Sequence, residues 1–204
     1  MKIIRKVPVL AVLFLIVSMM CVESSFACSK AYYGWTWADN KNASGLTVKM
    51  CSSEFYNNLS ASNSIFTWNG ISSKVKISSY SYSGDSSNTA DINIRSANLT
   101  GTTIGVTHIY KKNVLGGYTE VSISSSNAKI AQARIELSPS LLSANSSTQR
   151  YKTVIHEIGH ALALMHPVLI NCTNRAVMQQ SSTSYSATTI VQHDRTNLIA
   201  KWGS

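Results

Sequence analysis

From Gly45 onward, apolar positions fall into short alternating runs interrupted by one helical stretch and then one long one. Leu46 to Met50 alternates as a strand, and Phe55, Leu59, Ile65 and Phe66 give Ser52 to Trp68 a helical spacing that ends near Asn69-Gly70. Val75 to Ser79, Asp91 to Arg95 and Ile104 to Tyr110 read as strands. Gly116-Gly117 turns the chain into a further strand, Tyr118 to Ser124, and Ser125-Ser126-Asn127 separates that from Lys129 to Leu137. The pattern predicts a small, mainly sequential sheet completed before a long helix begins.

That helix carries its own start signal, a capping box of Ser146 with Gln149 three residues on. Tyr151, Val154, Ile155, Ile158, Leu162 and Met165 form an apolar stripe for packing on the sheet, and His156 and His160 lie off it. Core face and polar face are thus separate, which sets these histidines apart from ordinary core residues.

His156 to His166 reads His-Glu-Ile-Gly-His-Ala-Leu-Ala-Leu-Met-His, and three of the chain's five histidines fall in it. At 3.6 residues per turn, His156 and His160 sit one turn apart on one face and reach a single ion at about 2.0–2.1 Å. Glu157, rotated by about 100°, is placed to hydrogen-bond a water in the ion's open position, where a general base belongs. His166 is six residues beyond His160, so the chain must leave the helix and turn back to supply a third imidazole. Three protein ligands and a water define a catalytic zinc site, whereas structural zinc is normally closed by four. The expected ligands are therefore His156, His160 and His166 to one zinc ion, with Glu157 as the catalytic base. A hydrogen-bonded, unmetallated core helix would need neither Glu157 beside His156 nor a third histidine after the helix.

The N-terminal stretch changes the picture of where this chemistry happens. Lys2, Arg5 and Lys6 precede an apolar run from Val7 to about Met20, and Ser25 and Ala27 supply small residues for cleavage after Ala27. Residues 1–27 read as a secretory signal peptide and 28–204 as a single catalytic domain, with a secreted, extracellular protein as the result. The apolar run is short for a spanning helix, so no stable membrane insertion is expected after cleavage. Ser25 and Phe26 do not match a lipoprotein signal, which argues against a lipid anchor on Cys28. Removing residues 1–27 takes away three of eighteen basic and one of nine acidic residues, leaving a net charge of +7. No basic run interleaved with aromatics appears, so a nucleic-acid partner is not expected.

Cys28, Cys51 and Cys172 remain, an odd number where disulfides persist. Sequence does not choose among their pairings; Cys28 with Cys51 would pin the N-terminal segment, and no recognisable latency motif surrounds Cys28. His108 and His193 stand apart from the motif and read as hydrogen-bonded or surface residues. Asn42, Asn58, Asn98, Asn145 and Asn171 are glycosylation sequons, relevant only in a host that glycosylates secreted chains.

The histidine window, Met178 within Arg-Ala-Val-Met, and the helical stretch around Asp194 to Gly203 together resemble the metzincin clan of zinc endopeptidases, most closely its matrixin branch. The Ala90-Asp91-Ile92 and Gly105-Val106-Thr107-His108 segments extend the resemblance. It implies an α+β, zincin-like fold: a small mixed twisted sheet packed against an active-site helix, with a C-terminal helix. It further implies that Met178 lies in a tight turn under the imidazoles, and that a substrate peptide lies along an edge strand, Ile104 to Tyr110. Two departures stand out. Ala163 occupies the position of a turn-forming glycine, and Gln179-Gln180 stand where matrixins usually have Tyr and Pro.

The expected function is a secreted zinc endopeptidase, monomeric, acting on protein or peptide substrates. The alternatives are a zinc-dependent hydrolase of cell-wall material and a non-catalytic secreted binding module stabilised by zinc. Intact Glu157 argues against the last.

Overall fold

The computed structural model describes residues 30–39, 41, 43–58, 61–84, 89–167, 176–180 and 189–204. The leader 1–27, Cys28, Cys172, Asn42 and Asn171 lie outside the described residues.

Among the described residues eight strands form: β1 (Thr36–Trp37), β2 (Ser44–Met50), β3 (Lys76–Tyr82), β4 (Ile92–Ser96), β5 (Gly105–Lys112), β6 (Tyr118–Val121), β7 (Lys129–Ile130) and β8 (Gln132–Leu137). Six of them build one mixed sheet in the order β3-β2-β4-β8-β5-β6. The first four run parallel, β5 is antiparallel to β8, and β6 folds back on β5 as a hairpin. The mainly sequential sheet expected from the pattern is therefore corrected: the parallel strands need crossovers, and β8, which follows β5 and β6 in the chain, lies between β4 and β5 in the sheet.

Leu46, Val48, Met50, Ile92, Ile94, Ile109, Ala133, Ile135 and Leu137 turn one face of the sheet into the core. The long helix Ser147–Ala161 covers that face with Val154, Ile155 and Ile158, and Leu162 follows at its end. Tyr151 and Met165, also assigned to the stripe, are only partly buried. Fully burying side chains of this size contributes about 1.5–3 kcal/mol each. The closing helix Gln192–Trp202 packs Leu198 inward, and its Trp202 indole donates to the Leu162 carbonyl at 2.8 Å. A mixed sheet with a long helix and a closing helix is what the chain forms.

Several element boundaries differ from the sequence pattern. Within the helix expected over Ser52 to Trp68, Ser53–Asn58 and Ala61–Phe66 are helical, and Leu59 and Ser60 lie outside the described residues. The strand expected over Lys129 to Leu137 changes partner midway: Ile130 pairs with Trp37, Gln132 pairs with Tyr110, and Ala131 lies between. The strand from Tyr118 stops at Val121 and not at Ser124. A short helix, Ser140–Ala144, precedes the long one and had no sequence signal.

The long helix begins after Ser146, whose Oγ accepts from the Gln149 N–H at 3.3 Å, the serine half of the expected capping box. Its end is set by backbone chemistry. Leu164 N–H donates to the Gly159 carbonyl (2.9 Å) and Ala163 N–H to the His160 carbonyl (3.0 Å), the paired bonds of a Schellman turn. Ala163 accordingly takes φ +67°, the left-handed conformation that a glycine would hold without steric cost. The turn is thus built with alanine as glycine would build it. Ala163→Gly should relieve about 1 kcal/mol of strain, partly offset by greater unfolded-chain entropy, for a net gain of about 0.5 kcal/mol. Urea unfolding at fixed zinc would read this as a higher midpoint with unchanged slope, and a lower midpoint would show that Ala163 is not strained.

Candidate metal centre and cleft

His156 and His160 come from successive turns of the long helix, and the Schellman turn brings His166 back to them. The three Nε2 atoms stand 3.0 to 3.1 Å apart in every pairing. His156 Nδ1 lies 2.8 Å from the Val177 carbonyl and His160 Nδ1 lies 2.8 Å from the Leu164 carbonyl. A carbonyl only accepts, so each Nδ1 carries the proton and each Nε2 presents a bare lone pair. Two facing lone pairs at 3.1 Å repel unless a cation sits between them. An ion about 1 Å above the plane of the three nitrogens would lie at about 2.0–2.1 Å from each, the Zn–N distance. The donor set therefore fits zinc, and the two carbonyls are the outer partners that fix imidazole orientation in such sites. Among the described residues this is the one cluster of three such groups able to hold a metal.

Burial lowers the pKa of His156 to about 4, holds His160 well below the ordinary histidine value and lowers His166 as well. Neutral imidazoles are the form that ligates metal. His156 is partly held up by its bond to Val177 and pushed down by His166 and Lys152.

Glu157 is buried beside the triad, and burial pushes its carboxyl up to about 7 against the opposing pull of Thr107. A divalent cation at the three nitrogens would draw it back toward the ionised form. Thr107 Oγ1 on β5 lies 2.7 Å from Glu157 Oε2 and 3.0 Å from the Glu157 carbonyl, sharing its one proton between them. On the same strand, a Cβ at Gly105 would come within 2.9 Å of Glu157 Oε1. The glycine is what lets the carboxylate lie against the strand.

Met178 lies beneath the helix. A Cβ at Gly159 would sit 2.3 Å from the Met178 sulfur and 2.9 Å from Trp68, so the bare backbone there admits both. Asp194, almost fully buried, accepts from the N–H groups of Val177 (2.9 Å), Met178 (3.4 Å) and Val191 (3.3 Å). It ties the turn beneath the histidines to the closing helix, and through the Val177 carbonyl it reaches His156.

A cleft of about 710 Å³ opens over these groups. Its walls include Gly105 to Thr107, Tyr33, Lys152, Gln179 and Gln180, along with His156, Glu157, His160 and His166. Lys152 sits one turn before His156 on the long helix and is buried; burial lowers its pKa and the Asp194 charge raises it. The edge strand expected over Ile104 to Tyr110 is only half open. From Ile109 on, β6 pairs with it, and the register ends there, leaving Gly105 to His108 without a strand partner on that side among the described residues.

The remaining histidines stay outside the centre. His108 Nδ1 is 2.7 Å from Glu120 and its Nε2 is 3.7 Å from Glu136. His193 Nε2 contacts Asn197 Nδ2 at 3.1 Å. The sequence places Thr107 and Gly105 on the edge strand and Asp194 in the closing helix, but links none of them, nor Lys152, to the centre. Of these only Lys152 carries a local signal, because it continues the 156, 160 face backward by one turn.

The model of the SprT-like family matches residues 73–173, from just ahead of β3 through all three histidines. That stretch, slightly under half the chain, is similar to a zinc-metallopeptidase-like family related to the zincins. The match ends before Met178 and the closing helix. No curated protein matches the chain.

Proposed function

We propose that this chain is a secreted zinc endopeptidase of the metzincin type, closest to the matrixin branch, with His156, His160 and His166 as ligands and Glu157 as base. One observation carries the reading. Three imidazole Nε2 atoms converge beside a buried carboxyl group, in a cleft whose wall is a half-open strand. Bound there, zinc supplies Lewis-acid chemistry, acidifying water and polarising a peptide carbonyl.

The chain's own groups do the rest. The Gly105 to His108 backbone offers unpaired N–H and C=O groups to an extended peptide. Thr107 occupies Glu157 Oε2, which leaves Oε1 to take a proton from water and return it to the leaving amine. Gln179 and Gln180 make the wall beside the triad polar, which favours a polar substrate side chain there over a bulky apolar one.

Mass-spectrometric mapping of cut sites in a mixed peptide library tests the reading. Zinc-dependent cuts at internal bonds support it. Cleavage of peptidoglycan but not peptides would move the substrate to cell-wall material, and zinc binding with no turnover on either would make the chain a binding module.

A further inference from the structure

The hairpin joining β5 to β6 ends in Asn113-Val114-Leu115-Gly116, and its turn is firmly built. Gly116 N–H donates to the Asn113 carbonyl (3.0 Å), and Asn113 N–H donates to the Gly117 carbonyl (2.8 Å). Asn113 Oδ1 accepts from the N–H groups of Leu115 (3.1 Å) and Gly117 (2.9 Å). Gly116, at φ +82°, supplies the left-handed residue that closes the turn. Val114 and Leu115 are left at the two central positions, where turns ordinarily carry polar residues. Their exposures, 101% and 92%, are those of side chains in an extended peptide, and no other large apolar side chain among the described residues exceeds 43%. Turn chemistry does not ask for them, and the core does not use them.

Charge surrounds this tip. Lys111 and Lys112 are exposed at the end of β5, and Lys129 lines the same shallow groove. Tyr118, opposite Lys112, adds a half-exposed aromatic ring. Between residues 102 and 131 the chain has a single acidic residue, Glu120. Its carboxylate is 2.7 Å from His108 and 4.0 Å from Arg134, and so is already countered. A pair of aliphatic side chains on a rigid projection, ringed by lysines and a tyrosine, matches an anionic lipid surface: apolar atoms below the headgroups, ammonium groups at the phosphates, the phenol between.

We infer that the Asn113 to Gly117 hairpin tip is a peripheral docking site for an anionic lipid surface. Each lysine near such a surface strengthens binding by a factor of about five. Docking through the tip would hold the cleft at a set height, because β5 runs directly from Lys112 back to Gly105 beside Glu157. Seven strand steps of about 3.3 Å put the catalytic carboxylate about 23 Å from the lysines. Peptide segments standing just off the surface would then be within reach.

The test uses the full chain carrying Leu115→Trp, with vesicles of phosphatidylcholine alone or mixed with phosphatidylglycerol, each including brominated lipid. The emission that this variant adds over the unaltered chain reports the tip alone, whatever else touches the bilayer. It should be quenched on anionic vesicles, and much less on neutral ones. Adding Lys111→Glu and Lys112→Glu should weaken the anionic binding at least 25-fold, since both contributions are lost and their sign reversed. Undiminished added emission on anionic vesicles would overturn the proposal, as would equal quenching on both vesicle types. So would a dimer of the unaltered chain that Val114→Ser with Leu115→Ser dissolves, since the tip would then belong to a second copy.

Discussion

Glu157→Gln is expected to lower kcat by about 10²–10⁴-fold while zinc content stays that of the unaltered protein. The substitution is nearly isosteric in this setting. The amide oxygen can keep accepting from Thr107, now 2.7 Å from Oε2, and the amide nitrogen takes the place of Oε1 beside Gly105. What is lost is the capacity to take a proton from water. Burial penalises the Glu157 carboxylate, so a neutral amide should leave the metal-free protein at least as stable at neutral pH. Unfolding therefore cannot imitate the result. Peptide turnover, bound zinc by mass spectrometry and a melting curve on the same preparation separate the possibilities. Undiminished cleavage by the variant would remove Glu157 from the mechanism even with the fold unchanged.

The same residues show how far a sequence can be read. The spacing of His156 and His160 is a property of a single helix, and helix geometry alone brings them together. The return of His166 to the other two was legible because a residue six positions on can reach them only through a turn. Ala163 departs from the turn-forming glycine of the resemblance, yet its left-handed conformation is enforced by two backbone hydrogen bonds, to the Gly159 and His160 carbonyls. Those bonds depend little on the side chain.

Thr107 and Gly105 could not be found this way. They reach Glu157 across about fifty residues of chain, and no periodicity links a threonine on one strand to a carboxylate on a later helix. Asp194 is similarly remote from Val177 and Met178, which it holds. The order of the sheet was hidden for the same reason. Alternation assigns each strand a buried face, and the neighbour it pairs with follows from crossovers that alternation does not record.

His160→Ala should remove both the metal and the part of the stability that the metal provides. His160 is the most enclosed of the three imidazoles, and its Nδ1 proton is bound to the Leu164 carbonyl just past the Schellman turn. Alanine deletes a zinc ligand, leaves that carbonyl without its partner and opens space beneath the cleft, so a plain drop in melting temperature would be ambiguous. The zinc-dependent part of the melting temperature is not. A ligand at 1,000 times its dissociation constant stabilises the folded state by about 4 kcal/mol. For a chain of this size that corresponds to about 8–16 °C between zinc-saturated and chelator-treated protein. The unaltered protein should show that gap, Glu157→Gln should keep it, and His160→Ala should lose nearly all of it whatever its metal-free stability. A gap of equal size in His160→Ala would mean that zinc is held elsewhere, and the convergence of the three Nε2 atoms would then need another explanation.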